Sequence, residues 1–385
     1  MDPTLAETLT RWRRHLHANP SLTLNEGPTA AFVVERLKEL GVTEIVEGVG
    51  GHGVVATLHR PGSNRSVGLR ADMDALPIEE AAQDLPWRST HPGVMHACGH
   101  DGHTTALLGA AALLLRDESW TGTVRLVFQP AEEGGGGAAS MVRDGLFQRF
   151  PMDRIFGWHN WPGLAAGTIA VHDSAVMAAG NRFELVIDGH AGHAALPHLT
   201  RDPIVAAGHA IVACQSIVAR NLDPMATGVV SLTVIEGGEA QNQIAARVVI
   251  KGSMRFLTEE VGEQIRDGLR RVAAGISATF GVKAEAVIGG GVPVTTNHPE
   301  ARELAAEAAG AVTTLRRDIG PAMTGEDFSH FLNVVPGAFV WIGNGPAEGG
   351  CELHNPHYDF NDAVLPVASN FLAETARRAL AKEPG

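Results

Sequence analysis

Nine consecutive positions, Met95-His96-Ala97-Cys98-Gly99-His100-Asp101-Gly102-His103, carry one thiol, three imidazoles and a carboxylate. Zinc and its neighbours in the periodic table prefer sulfur and nitrogen donors. Cys98 and His100 are separated by a glycine, which can adopt backbone angles other residues avoid. Both side chains can therefore turn toward one ion. An apolar, helix-like run from Thr104 to Leu115 follows directly. Its N-terminal N–H groups would favour a thiolate at Cys98. Two donors do not complete a metal site, so the rest must come from distant parts of the chain.

Three further stretches offer them. Glu132 and Glu133 follow a strong β run, Thr123 to Phe128, and precede four glycines, Gly134 to Gly137. Adjacent carboxylates at a strand end point in different directions. One can bind a metal while the other takes a proton from activated water. The glycines would keep side-chain bulk away from an open site; the alternative is a solvated loop. His159 ends another strand-like segment between Trp158 and Trp161, where plain aromatic packing is the competing reading. His354 and His357 lie together in a polar cluster, and their spacing does not choose between them. Asp72 and Asp74 follow a third strand and suit either orientation of a ligand imidazole or capping of a turn. A different chemistry would use Cys98 as a nucleophile with a histidine base. It leaves Glu132 and Glu133 without a role.

The elements that must bring these residues together are legible. Helices are expected at Leu5–His17, Pro28–Leu40, Thr104–Leu115, Ala138–Asp144, Pro299–Val312 and about Leu365–Ala381. Strands are expected at Gly53–Leu58, Ser66–Leu69, Thr123–Phe128, Ile155–Trp158 and Ala338–Ile342. Alternation of this kind predicts a mostly parallel sheet flanked by helices. Sites in such sheets form beyond the carboxyl ends of the strands. Near residue 180 the order becomes β-α-β-β-α-β: Arg182–Asp188, Pro203–Ala219, Gly228–Glu236, Arg247–Phe256, Glu259–Phe280 and Val282–Ile288. That is the ferredoxin-like arrangement. The fold class is therefore α/β, with a catalytic domain at 1–177 and 296–385 and an inserted domain at 178–295. An uncovered edge strand in the insert favours pairing with a second copy.

With 385 residues, 44% of them hydrophobic, the chain is too long for one ordinary domain. Its net charge of −13 argues against nucleic acid and against anionic membranes as partners. Met1 to His17 lacks the apolar core of a secretory signal, and Thr105 to Leu115, taken as the longest apolar run, is too short to span a bilayer. Three cysteines, Cys98, Cys214 and Cys351, make no disulfide framework, and the expected location is the cytoplasm.

Six motifs occur in order: MHACGHDGHT, QPAEEGGGGA, GWHNWPG, GHAALPH, TGEDF and LHNPHYDFND. The set resembles the aminoacylase and hippurate hydrolase branch of the co-catalytic metallo-amidohydrolases, which includes the indole-acetyl-amino-acid hydrolases. The likeness runs from Leu16 to Asp362. It implies two divalent ions per subunit, zinc, manganese, cobalt or nickel, held by Cys98, His100, Glu133, His159 and His354. Glu132 matches the general base. The resemblance makes the insert a dimerisation domain, so a homodimer is expected. His193 matches a histidine that polarises the scissile carbonyl, Asn242 one in a supporting part, and Arg255 an arginine that binds the substrate carboxylate. Two positions depart from the pattern: Ala245 stands where many relatives have proline, and His190 where lysine or arginine is common.

The expected reaction is hydrolysis of an N-acyl amino acid to a carboxylic acid and an amino acid, with Glu132 as base and then as proton donor to the leaving amine. A non-catalytic binding protein on the same scaffold is the contrasting reading. It has no use for Glu132.

Overall fold

The structure is a computed structural model that describes residues 1–381. Within it the chain divides into two compact units. The first holds Met1–Val176, Thr296–Gly320 and the chain from Asp327 onward; the second holds Met177–Thr295 and Pro321–Glu326.

The first unit is built on an eight-stranded sheet. Its order is Glu44–Val49, Gly53–Arg60, Gly122–Gln129, Ser66–Asp72, Arg154–Pro162, Gly337–Gly345, Ile169–Ala170, Leu315–Arg316. The four strands at the centre, from Gly122–Gln129 to Gly337–Gly345, run parallel. Antiparallel neighbours close both sides. Burial on both faces explains why these central strands read as near-continuous apolar runs. Strand Glu44–Val49 went unseen in the sequence because Glu44, Glu47 and Gly48 break up its apolar residues and only Val49 is buried.

The helix His100–Arg116 is buried along almost its whole circumference. That is why it shows little amphipathic periodicity and reads as an apolar block. Gly102 lets it approach the Phe360 ring, where an added Cβ would sit 2.2 Å away. Helix Pro3–Ala18 starts on an Asp2 cap and buries Leu5, Leu9, Arg13, Leu16 and His17. Helices Pro3–Ala18 and Leu365–Leu380 both pack against His100–Arg116.

The second unit contains a four-stranded antiparallel sheet ordered Gly228–Gly237, Arg247–Phe256, Ala179–Asp188, Lys283–Val292. Helices Pro203–Ser216 and Glu259–Phe280 pack on the sheet. Strand Arg247–Phe256 alternates buried and half-exposed residues through most of its length, as a sheet covered on one face requires. One correction concerns the longest apolar stretch. Pro203–Asn221, an α-helix ending in a π turn, is long and apolar enough to cross a membrane by length and composition. In this unit it lies against the sheet with Ala206, Ala207, Ala210 and Cys214 buried.

Candidate metal centre

Two strands end in ligand-type residues as expected, and the third runs three residues past His159. Ser66–Asp72 ends on Asp72, Gly122–Gln129 runs into Pro130-Ala131-Glu132-Glu133, and Arg154–Pro162 carries His159. Gly99 precedes the helix His100–Arg116 with φ 90°, a left-handed conformation that suits glycine. A Cβ there would also fall 2.5 Å from Asn160 Oδ1 and 2.6 Å from the Tyr358 hydroxyl. The turn therefore needs glycine on two counts, and it sets Cys98 and His100 side by side.

Cys98, His100 and His159 form one buried cluster of donor atoms, Cys98, Glu133 and His354 a second, and His100, Glu132 and Glu133 a third; within each, all donors lie within 4.8 Å of one another. Cys98 Sγ is 3.4 Å from His159 Nε2. Glu133 Oε1 is 3.1 Å from His354 Nε2 and 4.0 Å from His100 Nε2. Five residues separated by up to 256 positions thus converge. His354, with φ 64°, is one of three non-glycine residues in the left-handed region among the described residues. Its amide donates to the Ala97 carbonyl at 2.8 Å, which ties the late polar cluster to the Cys98 turn. His357 joins none of these groups.

Neighbouring groups orient the donors. His100 Nδ1 donates to the Asp74 carbonyl at 2.8 Å, and His159 Nδ1 donates to the Asn160 carbonyl at 2.7 Å. Both rings then direct Nε2 inward. His100 Nε2 and Glu133 Oε1 are buried and make no hydrogen bond. Two such lone-pair atoms facing each other are costly unless something positive sits between them. The donor set, one sulfur, three imidazoles and a carboxylate, fits divalent ions of the zinc type.

The electrostatics agree. Burial pushes His100 down, but Asp72, Asp74 and Glu133 outweigh it and raise it to about 10, so the site stabilises positive charge. His159 is driven well below its ordinary value by burial and then by His103 and His100, which keeps it neutral and able to donate a lone pair. Cys98 departs from expectation. Burial, then Glu133, Glu132 and Asp72, push its thiol well above the ordinary range. Deprotonation there calls for a bound cation.

The two aspartates divide their work. Asp72 takes Arg70 Nη1 at 2.8 Å and His103 Nδ1–H at 2.6 Å. Asp74 accepts the backbone N–H groups of Glu132 at 3.0 Å and Glu133 at 2.9 Å, and the Thr23 hydroxyl at 2.7 Å. Arg70 also reaches Gln129 and Asp327, forming a buried network beneath the sheet edge. Thr23 and Glu26 lie in a loop that no motif marked, and Asn160 and Asp327, although inside GWHNWPG and TGEDF, were not singled out because their partners are distant in the chain. The glycine reading changes too. A Cβ on Gly135 would lie 2.6 Å from Ala131 Cβ, and one on Gly137 would lie 1.6 Å from the Pro130 carbonyl oxygen. These two glycines permit close packing of the loop on itself, which is a different job from opening a path to substrate.

His193, Asn242 and Arg255 belong to the second unit. His193 and Gln243 pair across a short antiparallel ribbon, and the Asn242 carbonyl accepts the Ala194 amide at 3.0 Å, so His193 and Asn242 are neighbours. Arg255 pairs with Gly180 across the larger sheet; a Cβ at Gly180 would be 1.7 Å from Arg255 Nη1, so the glycine makes room for the guanidinium.

Residues 68–378 match the model of peptidase family M20/M25/M40. The chain belongs to that family. It is 40% identical to N-acetyl-L-cysteine deacetylase of Bacillus subtilis, over 98% of this chain and 89% of that protein. Against hippurate hydrolase of Campylobacter jejuni the identity is 39%, over 96% of this chain and 95% of the relative. Among solved structures, the Bacillus subtilis YXEP protein, described as a dinuclear metal binding peptidase of family M20, superposes with a TM-score of 0.87 at 34% identity, covering 98% of this chain and 99% of that one. The family member described here is a hydrolase of amide bonds.

Proposed function

We propose that this hydrolase cleaves N-acyl amino acids, hippurate-like or N-acetylated, with Glu132 as general base and a pair of divalent ions held by Cys98, His100, Glu133, His159 and His354. The observation that carries the reading is the convergence of those donors around Glu133 and His100 atoms that have no hydrogen bond of their own. Divalent ions at this position would polarise the amide carbonyl and lower the pKa of a water molecule toward about 7. Zinc, manganese, cobalt and nickel all suit the donors, and the thiolate tilts preference toward the softer of them.

Glu132 sits beside the ligand carboxylate, with its backbone held by Asp74 and its Oε1 accepting the Asp327 amide at 3.3 Å. From there it removes a proton from water as the new C–O bond forms, then delivers that proton to the nitrogen as the C–N bond breaks. His193 is assigned to the developing oxyanion, where a positioned donor has large leverage. Arg255 is assigned to the carboxylate of the amino acid, a planar acceptor matched to a guanidinium. Asn242, next to His193, supports it. The substrate is a small molecule, and neither nucleic acid nor membrane is a partner. We place the enzyme in the cytoplasm, in keeping with cysteines that are all unpaired. The unit at 178–295 is read as a dimerisation or lid domain, and 1–177 with 296–385 as the catalytic domain. The homodimer reading is supported by strand Gly228–Gly237, an edge with Val229, Val234 and Ile235 exposed.

The test is chelation followed by reconstitution. Hydrolysis of benzoylglycine and of N-acetyl amino acids should vanish on removal of divalent ions and return with them. Activity that survives complete stripping would end the metal reading. A covalent acyl-enzyme on Cys98, seen by mass spectrometry, would favour the nucleophile instead.

A further inference from the structure

We propose that Glu26 is a positioning residue for the reaction: its buried carboxylate fixes the backbone turn that presents Glu132 and Glu133 without itself meeting substrate. This rests on the reading of Glu132 as base and Glu133 as ligand.

Glu26 is fully buried at the start of the helix Gly27–Glu39. Its Oε1 accepts two amides, Leu24 N–H at 2.8 Å and Ala131 N–H at 2.9 Å. Both donors are non-glycine residues in the left-handed region, Leu24 at φ 69° and Ala131 at φ 54°. The third such residue among those described is the candidate ligand His354. Side-chain-bearing residues persist in this conformation only where the surroundings hold them there. One carboxylate oxygen therefore secures two of the three strained positions.

The consequence reaches the site through the chain. Ala131, Glu132 and Glu133 are consecutive, and each of their amides is captured by a buried carboxylate: the first by Glu26, the next two by Asp74. Thr23 donates to Asp74 from the same segment that carries Glu26. Residues 23–26 thus grip the turn from both ends. A Cβ on Gly135 would strike both Ala131 Cβ at 2.6 Å and Thr23 Cγ2 at 2.7 Å, so segment and turn are also in direct contact. If Ala131 relaxed to negative φ, the next two amides would leave Asp74, and both glutamates would swing. Catalysis is sensitive to displacements of about 1 Å.

Reach distinguishes this role from charge. Glu26→Gln keeps a carbonyl oxygen at the same distance; Glu26→Asp keeps the charge and is one methylene short. With enzyme assayed at saturating divalent ion and benzoylglycine, Glu26→Asp should lose at least tenfold in kcat with KM within twofold. Glu26→Gln should stay within threefold of wild type. Adding Ala131→Gly to Glu26→Asp should recover kcat severalfold, because glycine adopts positive φ without help. A merely structural Glu26 would lower the melting temperature of these variants and leave kcat alone below it, which overturns the proposal. So does equal damage from Gln and Asp, or no recovery on adding Ala131→Gly. Failure of the underlying reading shows separately, as a Glu132→Gln enzyme that still turns over at the wild-type rate.

Discussion

Asp74 holds His100 by its backbone and Glu133 by its side chain: the His100 Nδ1–H donates to the Asp74 carbonyl at 2.8 Å, while Asp74 Oδ2 accepts the Glu133 amide at 2.9 Å. A single residue thereby orients two donors that lie 33 positions apart in the chain. Removing the carboxylate in Asp74→Ala should leave two amides unsatisfied and let the glutamate turn drift. The expected outcome is a loss of about 10–100-fold in metal affinity. Competition against a chromophoric chelator measures it; unchanged affinity would confine Asp74 to folding.

Glu132→Gln tests the base directly. The amide keeps the shape and the hydrogen bond from the Asp327 amide but cannot take a proton. Turnover should fall by about 10²–10⁴-fold, the usual weight of a general base. Metal content by atomic absorption should match wild type, because Glu133 remains.

A pH dependence of stability follows from His17. This buried imidazole lies 2.8 Å from Asp101 and 3.3 Å from Glu80. Burial lowers it, but the two carboxylates prevail and raise it to about 9. The charged form therefore stabilises the fold. That contribution is complete below His17's ordinary value of about 6.5 and is lost as pH climbs through about 9, with a size on the order of 3 kcal/mol. Wild type should melt well above His17→Gln at pH 6, and the gap should narrow toward pH 10. A gap that stays constant across the range would refute the assignment.

Gly102→Ala probes the packing behind the site. The new methyl would meet the Phe360 ring at 2.2 Å, and that ring is buried. Overpacking of this kind costs about 1–3 kcal/mol. Thermal unfolding should register it, and kcat at low temperature should change less than the melting temperature suggests.

The chemistry on offer is legible in the chain alone. Cys98-Gly99-His100, Glu132-Glu133 and His159 were readable because sulfur, imidazole and paired carboxylate donors are rare together at the ends of, or within, elements of one sheet. The parallel sheet was readable because buried central strands are written as apolar runs bounded by polar residues. Residue type and local period survive in one dimension. The tertiary structure decided which groups hold those donors in place. Nothing local marks Glu26 as the acceptor for Ala131, or Thr23 as the donor to Asp74, since partners 105 and 51 positions apart are chosen only when the chain closes on itself. It also decided the state of Cys98. The helix N-terminus favours a thiolate, while burial first, and then Glu133, Glu132 and Asp72, push the thiol up. Electric fields in a folded protein are sums over neighbours in space, and the order of residues along the chain does not contain that sum.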